Sequence, residues 1–308
     1  MEKRIKMGHL AMLGASVLWG LMAPVSKFAM QGGHLSSVAL ADLRVIGACA
    51  LFWIYSLFNK GEKVDKKDYI KLAGASLFAI VFNQCLFLYG LGTTSPVNAS
   101  IITTTMPIWT MILAALILKE PITGKKAGGV LLGTCGALIL VCGDMILHGS
   151  FSAAGASDIR GDIACMVTQC SYALYLVLFR SVIVKYSPVT LMKWMFTFAA
   201  LFMLPFTGGE LFRTDWAGLE TYQIFSAAYV VLFGTFICYL IVPVGQKVLR
   251  PTVVAIYNYV QPIVATTVAI IAGLDTFNIL KVAAVAFIFS GVLLVNRSRA
   301  KGDVAKSD

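Results

Sequence analysis

The stretch Gly90-Leu-Gly-Thr-Thr-Ser-Pro-Val-Asn-Ala-Ser-Ile-Ile-Thr-Thr-Thr-Met-Pro107 decides the fold, because its landmarks return 155 residues further along the chain. At this offset Pro96 corresponds to Pro251, and Pro107 corresponds to Pro262. A single match is weak in a chain so rich in apolar residues, but two prolines at one offset are hard to attribute to chance. The sequence therefore predicts that the second half of the chain repeats the first.

The composition places the chain in a lipid bilayer. Of its 308 residues, 58% are hydrophobic and only 13% are charged, whereas soluble domains carry about 45–50% apolar and about 25% charged residues. A water-soluble fold cannot hide so much apolar surface behind so few charges. This balance excludes a soluble enzyme, a nucleic-acid-binding module and a disordered chain, and it predicts an all-α polytopic membrane protein.

Ten apolar runs are separated by turn residues or charges, and each is close to the length of about 20 residues that one membrane-spanning helix needs. The sequence predicts ten transmembrane helices with approximate limits 7–30, 36–58, 69–90, 95–118, 126–147, 159–182, 189–206, 221–244, 251–273 and 279–296.

The basic residues favour this count and orient the chain. With the N-terminus in the cytoplasm, 19 of the 25 Lys and Arg residues fall in cytoplasmic segments, three fall on the opposite side and three lie within spans. Lys and Arg accumulate on the cytoplasmic side of membrane proteins. We therefore expect both termini in the cytoplasm.

Each repeat holds an odd number of spans, so the second repeat must enter the membrane from the side opposite to the first. The sequence predicts two inverted-topology five-helix repeats, residues 1–150 and residues 151–308, the latter with a short cytoplasmic tail. This architecture occurs in many secondary transporters, where a binding region between the two repeats faces either side of the membrane in turn.

Three motifs of the first repeat resemble the drug/metabolite transporter superfamily, in particular its EamA-like ten-helix branch. They are Val17-Leu-Trp-Gly20 in the first span, Ala41-Asp-Leu-Arg44 in the second, and the block that runs from Gly90 to Gly136. The second copy of that block runs from Gly245 to Gly291. The resemblance covers nearly the whole chain, about residues 8–296.

The resemblance implies a secondary active transporter that exports a small metabolite, an amino acid or a related compound, with proton coupling and by alternating access. It implies a multi-pass protein of the cell membrane (the inner membrane in a bacterium) that works as a monomer. Its expected partners are the metabolite and the lipid bilayer, with no nucleic acid. A nucleotide-sugar-type exchanger and a passive facilitator or channel remain as alternatives.

The candidate substrate-cavity residues are of three kinds. Pro107 and Pro262 lie near the middle of spans 4 and 9, where a proline kinks a helix and frees a backbone carbonyl. Arg44 is a deep intramembrane cation, which marks a functional site by default and suits an anionic or carboxylate group. The other candidates are aromatic or amide side chains that either contact substrate or pack helices, namely Trp19, Asn83, Asn98, Tyr172, Tyr257, Asn258 and Gln261.

Lys27 and Asp42 are the candidate coupling residues. They lie at similar depth in the first two spans, so they either face each other within the membrane or extend separately to the outer interface. Neither catalytic residues nor a metal site are predicted, because the three histidines are scattered and no clustered intramembrane His, Asp or Cys is present. No cofactor is expected, and no nucleotide-binding loop indicates ATP hydrolysis.

Overall fold

A computed structural model of the protein describes residues 2–59, 62–93, 102–148, 159–271 and 279–298. Within these residues the regular secondary structure is entirely helical, with no β-strand. The helices are α1 (Glu2–Ala29), α2 (Ser37–Leu57), α3 (Lys66–Ser76), α4 (Phe82–Thr93), α5 (Met106–Leu118), α6 (Gly124–His148), α7 (Ile159–Leu178), α8 (Arg180–Lys185), α9 (Pro188–Thr207), α10 (Gly209–Arg213), α11 (Thr221–Val231), α12 (Cys238–Val248), α13 (Pro251–Ile256), α14 (Val260–Ile271) and α15 (Ile279–Asn296).

The described chain contains seven helical segments that are long and apolar enough to cross a membrane. A further apolar helix, α5, is shorter. The seven are Glu2–Ser26, Ser37–Leu57, Lys66–Phe87, Ile159–Leu178, Pro188–Thr207, Thr221–Val248 and Ile279–Asn296. Each coincides with a predicted span, so the prediction of an all-α multi-pass membrane protein is confirmed. The count of ten crossings and their direction stay predictions.

The helices form two compact units. The first unit comprises residues 1–88 and 179–248, and the second comprises residues 89–178 and 249–308. Each unit therefore takes helices from both predicted repeats. Since sequence repeats need not fold as separate units, the boundary near residue 150 stays a prediction.

Two π-helical segments interrupt long helices at positions related by the predicted offset of 155. Leu77–Val81 joins α3 to α4, and Leu232–Ile237 joins α11 to α12. A π segment inserts one extra residue into a helix and is often found at functional sites. The correspondence of the two segments is a structural counterpart of the sequence repeat.

The two prolines that are related by the offset of 155 each follow an irregular turn of the chain. Pro107 lies in the first turn of α5, directly after a turn at residues 104 and 105, and Pro262 lies in the first turn of α14, after the 3₁₀ turn Tyr257–Tyr259. Pro107 therefore begins a helix, where its missing N–H removes no helical hydrogen bond. The chain stays helical from Pro251 to Ile271, so Pro262 lies within a helical stretch, and the irregularity is the 3₁₀ turn that precedes it.

In the first unit, aromatic packing joins α2 to α9. The rings of Phe52 and Phe196 stack with centroids 5.6 Å apart, and Trp53 Nε1 donates to Thr197 Oγ1 at 2.9 Å. Lys193 Nζ lies 4.6 Å from the centroid of the Trp53 ring. The positive charge of Lys193 is therefore held on an aromatic face by a cation–π contact.

A polar cluster ties the start of α3 to the connection between α8 and α9. Lys185 Nζ donates to Asp65 and, at 2.6 Å, to Asp68 Oδ2, which also accepts from the Tyr186 hydroxyl at 2.7 Å. The hydrogen bonds to Asp65 and Asp68 raise the pKa of Lys185 above its ordinary range. Since that shift stabilises the charged form, its contribution to folding is complete at neutral pH and is lost only as the pH rises through the lysine range.

In the second unit, α6 and α15 approach backbone to backbone. A Cβ atom added to Gly129 would lie 2.7 Å from the Gly291 carbonyl oxygen, and one added to Gly136 would lie 2.6 Å from the Ala284 carbonyl oxygen. By contrast, a Cβ atom at Gly128 meets nothing within 4 Å. Small residues let membrane helices pack this closely, so this glycine stripe serves helix packing.

Replacing Gly129 with Ala is expected to destabilise the protein, because the methyl group collides with the Gly291 backbone, which cannot move aside as a side chain can. Overpacking of this kind costs about 1–3 kcal/mol. Gly128→Ala, one position away, is the matched control and is expected to leave the melting temperature unchanged or slightly raised. Thermal unfolding of the two purified variants in detergent distinguishes them, and equal melting temperatures would contradict the close approach of α6 and α15.

Lys185→Gln is expected to lower the melting temperature at neutral pH, because it removes the cation shared by Asp65 and Asp68. Lys63→Gln is the control, since Lys63 is exposed and makes no ion pair among the described residues. The difference between the two variants should shrink in concentrated salt, which screens exposed charges. A salt-independent difference would show that packing, and not charge, is responsible.

Candidate functional site

In the first unit, Trp19 of α1 binds the π segment between α11 and α12. The indole Nε1 of Trp19 donates to the Gly234 carbonyl oxygen at 3.1 Å. The Trp19 ring also meets the Tyr239 ring edge to face, with centroids 5.9 Å apart. The polar group of this candidate residue is therefore engaged within the protein, and its aromatic ring covers the start of α12.

Arg44 of α2 binds the next residue of the same π segment. Its Nε donates to Thr235 Oγ1 at 2.9 Å, and the Thr235 hydroxyl donates in turn to the Val230 carbonyl oxygen at 2.9 Å. The side chain of Arg44 is half-buried, and its two terminal nitrogens have no hydrogen-bond partner among the described residues. Since a guanidinium offers five N–H donors, four remain for a ligand or for water.

Trp19 and Arg44 thus meet on consecutive residues of one helix interruption. Tyr239, one turn further on, is 6% exposed and packs against Phe196 with ring centroids 5.0 Å apart. We refer to Trp19, Arg44, Thr235 and Tyr239 as the α12 cluster. The sequence predicted the first two as site residues, but it contained no signal for Thr235, whose role depends on the π segment.

Asp42 is completely buried in the first unit, with 0% of its surface exposed. Its Oδ1 lies 2.6 Å from the hydroxyl oxygen of Thr207 at the end of α9, and its Oδ2 has no hydrogen-bond partner among the described residues. This burial contradicts the alternative in which Asp42 extends to the outer interface. The side chain of Lys27, its partner in the other alternative, lies outside the described residues.

A cavity of about 420 Å³ opens beside this carboxyl group. Its lining comes from the α3–α4 region and from α9, and it includes Leu77, Phe82, Cys85, Phe202 and Thr207. The walls are almost entirely apolar, and the hydroxyl of Thr207 links them to Asp42. Sequence reasoning did not find this cavity, because its residues look like ordinary lipid-facing or packing positions.

In the second unit, two predicted amides lie beside the start of α5. Gln261 Nε2 donates to Asn258 Oδ1 at 3.0 Å, and Asn258 Nδ2 lies 3.0 Å from the sulfur of Met106, the residue before Pro107. The amide oxygen of Gln261 has no partner among the described residues. The structure therefore brings together Asn258, Gln261 and Pro107, with Pro262 next in the chain.

The tyrosines of the second unit are mainly packed. Tyr257 is 7% exposed, and Tyr172 lies against Tyr175 with ring centroids 5.5 Å apart. Tyr259 is 2% exposed, and its hydroxyl lies 2.7 Å from Thr134 Oγ1 and donates to the Thr104 carbonyl at 3.2 Å. Tyr259, which was not a predicted site residue, thus connects its own 3₁₀ turn to the turn at Thr104 and to α6.

The remaining predicted amides differ in what the structure shows. Asn83 is half-buried in α4, and Asn98 lies outside the described residues. Next to Asn83, the Gln84 side chain is 6% exposed, and neither of its polar atoms has a partner among the described residues. A buried amide without a partner is costly, so Gln84 joins the candidate binding residues.

Metal chemistry has no candidate site in the part of the chain that the structure describes. No group of three or more His, Cys, Asp or Glu side chains lies close enough there to hold a metal ion.

Comparison with known proteins gives a consistent result. The EamA-like transporter family matches residues 6–142 and 159–297. An uncharacterized transporter of Archaeoglobus fulgidus is 24% identical over 281 residues, covering 91% of this chain and 95% of the relative. The uncharacterized inner membrane transporter YicL of Salmonella typhimurium is 23% identical over 299 residues, covering 94% of this chain and 95% of the relative.

A solved structure shares the fold, with a TM-score of 0.76 at 16% sequence identity. The alignment covers 93% of this chain and 95% of the other.

Trp19→Phe is expected to destabilise the α12 cluster, because it removes the indole hydrogen bond to the Gly234 carbonyl. The loss of one such hydrogen bond costs about 0.5–1.5 kcal/mol. Hydrogen exchange of peptides that cover residues 230–240 should accelerate, and the melting temperature should fall. Trp109→Phe is the control, since the Trp109 indole makes no hydrogen bond among the described residues; unchanged exchange in Trp19→Phe would contradict the assigned contact.

Proposed function

Because the chain belongs to the EamA-like transporter family, we propose that it is a secondary active transporter that exports a small metabolite by alternating access. The coarser part of this statement is established by the family match and by the relatives: the chain is a multi-pass membrane transporter and not an enzyme. Four finer points are proposals: that the substrate is an amino acid or a related compound, that it is exported, that transport is coupled to protons, and that the protein acts as a monomer.

Arg44 is the single observation that carries the proposed substrate class. It is half-buried and anchored at Nε to Thr235, and its terminal nitrogens are without partners among the described residues. An anchored guanidinium presents its outer N–H groups in a fixed fork that matches a carboxylate. This geometry supports recognition of the carboxylate of an amino acid or a related acid, beside the aromatic rings of Trp19 and Tyr239.

The second unit supplies a separate candidate contact. The Asn258–Gln261 pair leaves the Gln261 amide oxygen free among the described residues, and an amide oxygen accepts hydrogen bonds from an ammonium group. Within the second unit, this pair supports a substrate that carries a hydrogen-bond donor.

The proposed location is the inner membrane if the source is a bacterium, with both termini in the cytoplasm. The relative YicL is named as an inner membrane transporter, which supports this location, and the distribution of basic residues supports the orientation.

A nucleotide-sugar exchanger is the second candidate, and it needs several cations for its phosphates. Lys193, one of three intramembrane cations in the sequence, lies on the rings of Trp53 and Trp194. Its charge is therefore already engaged, which favours a substrate with a single acidic group.

Arg44→Ala is expected to reduce carrier activity at least about tenfold, the effect of losing one charge-assisted hydrogen bond of roughly 1.5–3 kcal/mol. The measurement is counterflow in proteoliposomes with each of the twenty radiolabelled protein amino acids. Arg44→Lys keeps the charge but not the fork and should be nearly as impaired. Arg213→Ala, which removes an exposed arginine paired with Glu210, is the control and should remain active.

The same assay separates the alternatives. Saturable uptake accelerated by internal substrate identifies a carrier, whereas non-saturable flux without acceleration identifies a channel. Full counterflow in Arg44→Ala would refute the proposed role of Arg44.

A further inference from the structure

The carboxyl group of Asp42 has an unusual set of contacts for an acid inside a membrane protein. It is fully buried, one oxygen contacts only Thr207, and the other oxygen has no partner among the described residues. No cation pairs with it within the part of the chain that the structure describes. A buried carboxylate without a counterion is strongly disfavoured, whereas the neutral acid is tolerated.

The hydrogen-bond geometry at Thr207 also favours the neutral acid. Thr207 Oγ1 lies 2.6 Å from Asp42 Oδ1 and 2.9 Å from the Met203 carbonyl oxygen. A hydroxyl group has one hydrogen and can donate fully to only one of these two acceptors. If Asp42 carries a proton, its own O–H donates to Thr207, Thr207 donates to Met203, and both short contacts are satisfied.

Among the described residues, the ionisable groups around Asp42 do not offer a positive partner. The elements that pack against α2 are α9, α10, α11 and the second π segment. The π segment has no ionisable residue, α11 contributes only tyrosines, and the lone cation of α9, Lys193, lies on tryptophan rings. On α2 itself, Arg44 is two positions away, a spacing that points to another side of the helix.

Two further groups interact electrostatically with Asp42. Glu210 of α10 is close enough to interact electrostatically with it, and its carboxylate pairs with Arg213 and accepts from Ser36. Cys85 of α4 also interacts with Asp42 electrostatically. A neighbouring carboxylate disfavours a second negative charge, so Glu210 also favours a protonated Asp42.

The cavity beside Thr207 provides a place from which a proton can reach this acid. Thr207 lies in the cavity wall, and its hydroxyl group also contacts Asp42. A hydroxyl group both donates and accepts, so rotation of the Thr207 hydroxyl can pass a proton between water in the cavity and the carboxyl group.

We propose that Asp42 is the proton-binding site of this transporter, that it is a neutral acid in the present conformation, and that Thr207 positions its proton. The proton leaves Asp42 as a hydronium ion when the transport cycle exposes the carboxyl group to water, and the resulting carboxylate takes up a proton before the site closes again. The coupling role rests on the proposed function, whereas the protonation state of Asp42 does not.

The protonation state is tested without substrate, by infrared difference spectroscopy of the purified full-length protein at neutral pH. The wild type should show the carbonyl absorption of one protonated carboxyl group that is missing in Asp42→Asn. Asp215→Asn is the matched control, since Asp215 is exposed and pairs with His34, and it should remove no such band. An Asp42→Asn spectrum without this loss would overturn the proposal.

Thr207→Val tests the positioning role with a side chain of similar shape. The Asp42 band should persist and move to higher frequency, because a carboxylic acid absorbs higher when its hydrogen bond is lost. An unshifted band would show that Thr207 does not bind the acid proton. A folding defect is checked by the melting temperature of the same sample.

The coupling role is tested in proteoliposomes with the twenty radiolabelled amino acids. The ratio of uptake driven by a pH gradient to exchange at equal pH should exceed one in the wild type and fall to one in Asp42→Asn. An unchanged ratio would overturn the coupling role. If the wild type carries no amino acid, the proposed substrate class and the coupling role both fail, and the infrared comparison still decides whether Asp42 holds the proton.

Discussion

A backbone carbonyl inside a lipid bilayer needs a hydrogen-bond donor from the protein, because no water is present to supply one. The π segment Leu232–Ile237 disturbs the regular pattern of backbone hydrogen bonds, and side chains of the first unit donate to two of the carbonyls in this region. Trp19 donates to the Gly234 carbonyl, and Thr235 donates to the Val230 carbonyl. The position of α1 against α12, and with it the environment of Arg44, follows from these bonds.

Arg44 depends on this arrangement for its orientation. Thr235 uses its hydrogen on Val230 and therefore offers an oxygen lone pair to Arg44 Nε. An arginine that is held at Nε keeps its outer edge turned away from that anchor, and it is this edge that recognises a carboxylate. Hydrogen bonds therefore connect Arg44, the candidate ligand contact, to the π segment and to the side chains that donate to its carbonyls.

Much of the fold was predictable from sequence because it follows from solvent. A chain with this many apolar residues has to bury its backbone in helices, and the runs between charges show where those helices lie. Pro107 and Pro262 were predicted to kink spans 4 and 9, and an irregular turn lies a few residues before each of them. Only Pro107 begins a helix, which the sequence pattern alone does not reveal.

The candidate site was less predictable because its contacts join residues far apart in sequence. Arg44 and Trp19 were identifiable as unusual polar groups in apolar spans, but their partners Thr235 and Gly234 lie about 190 or more residues away in a stretch that looks like any other apolar run. Asp42 was recognised, but its burial against Thr207 depends on the packing of α2 on α9. Tyr259 resembles an ordinary helix-packing residue until its hydrogen bonds to Thr134 and Thr104 are seen.

The π segments also change how the helices can be read. One extra residue shifts the helical phase by about 100°, so the face that α11 presents does not continue into α12. Removing one residue from Leu232–Ile237 would restore a regular helix and turn Tyr239 away from Trp19. The two halves of this one membrane span, α11 and α12, therefore turn different helix faces towards the same neighbours.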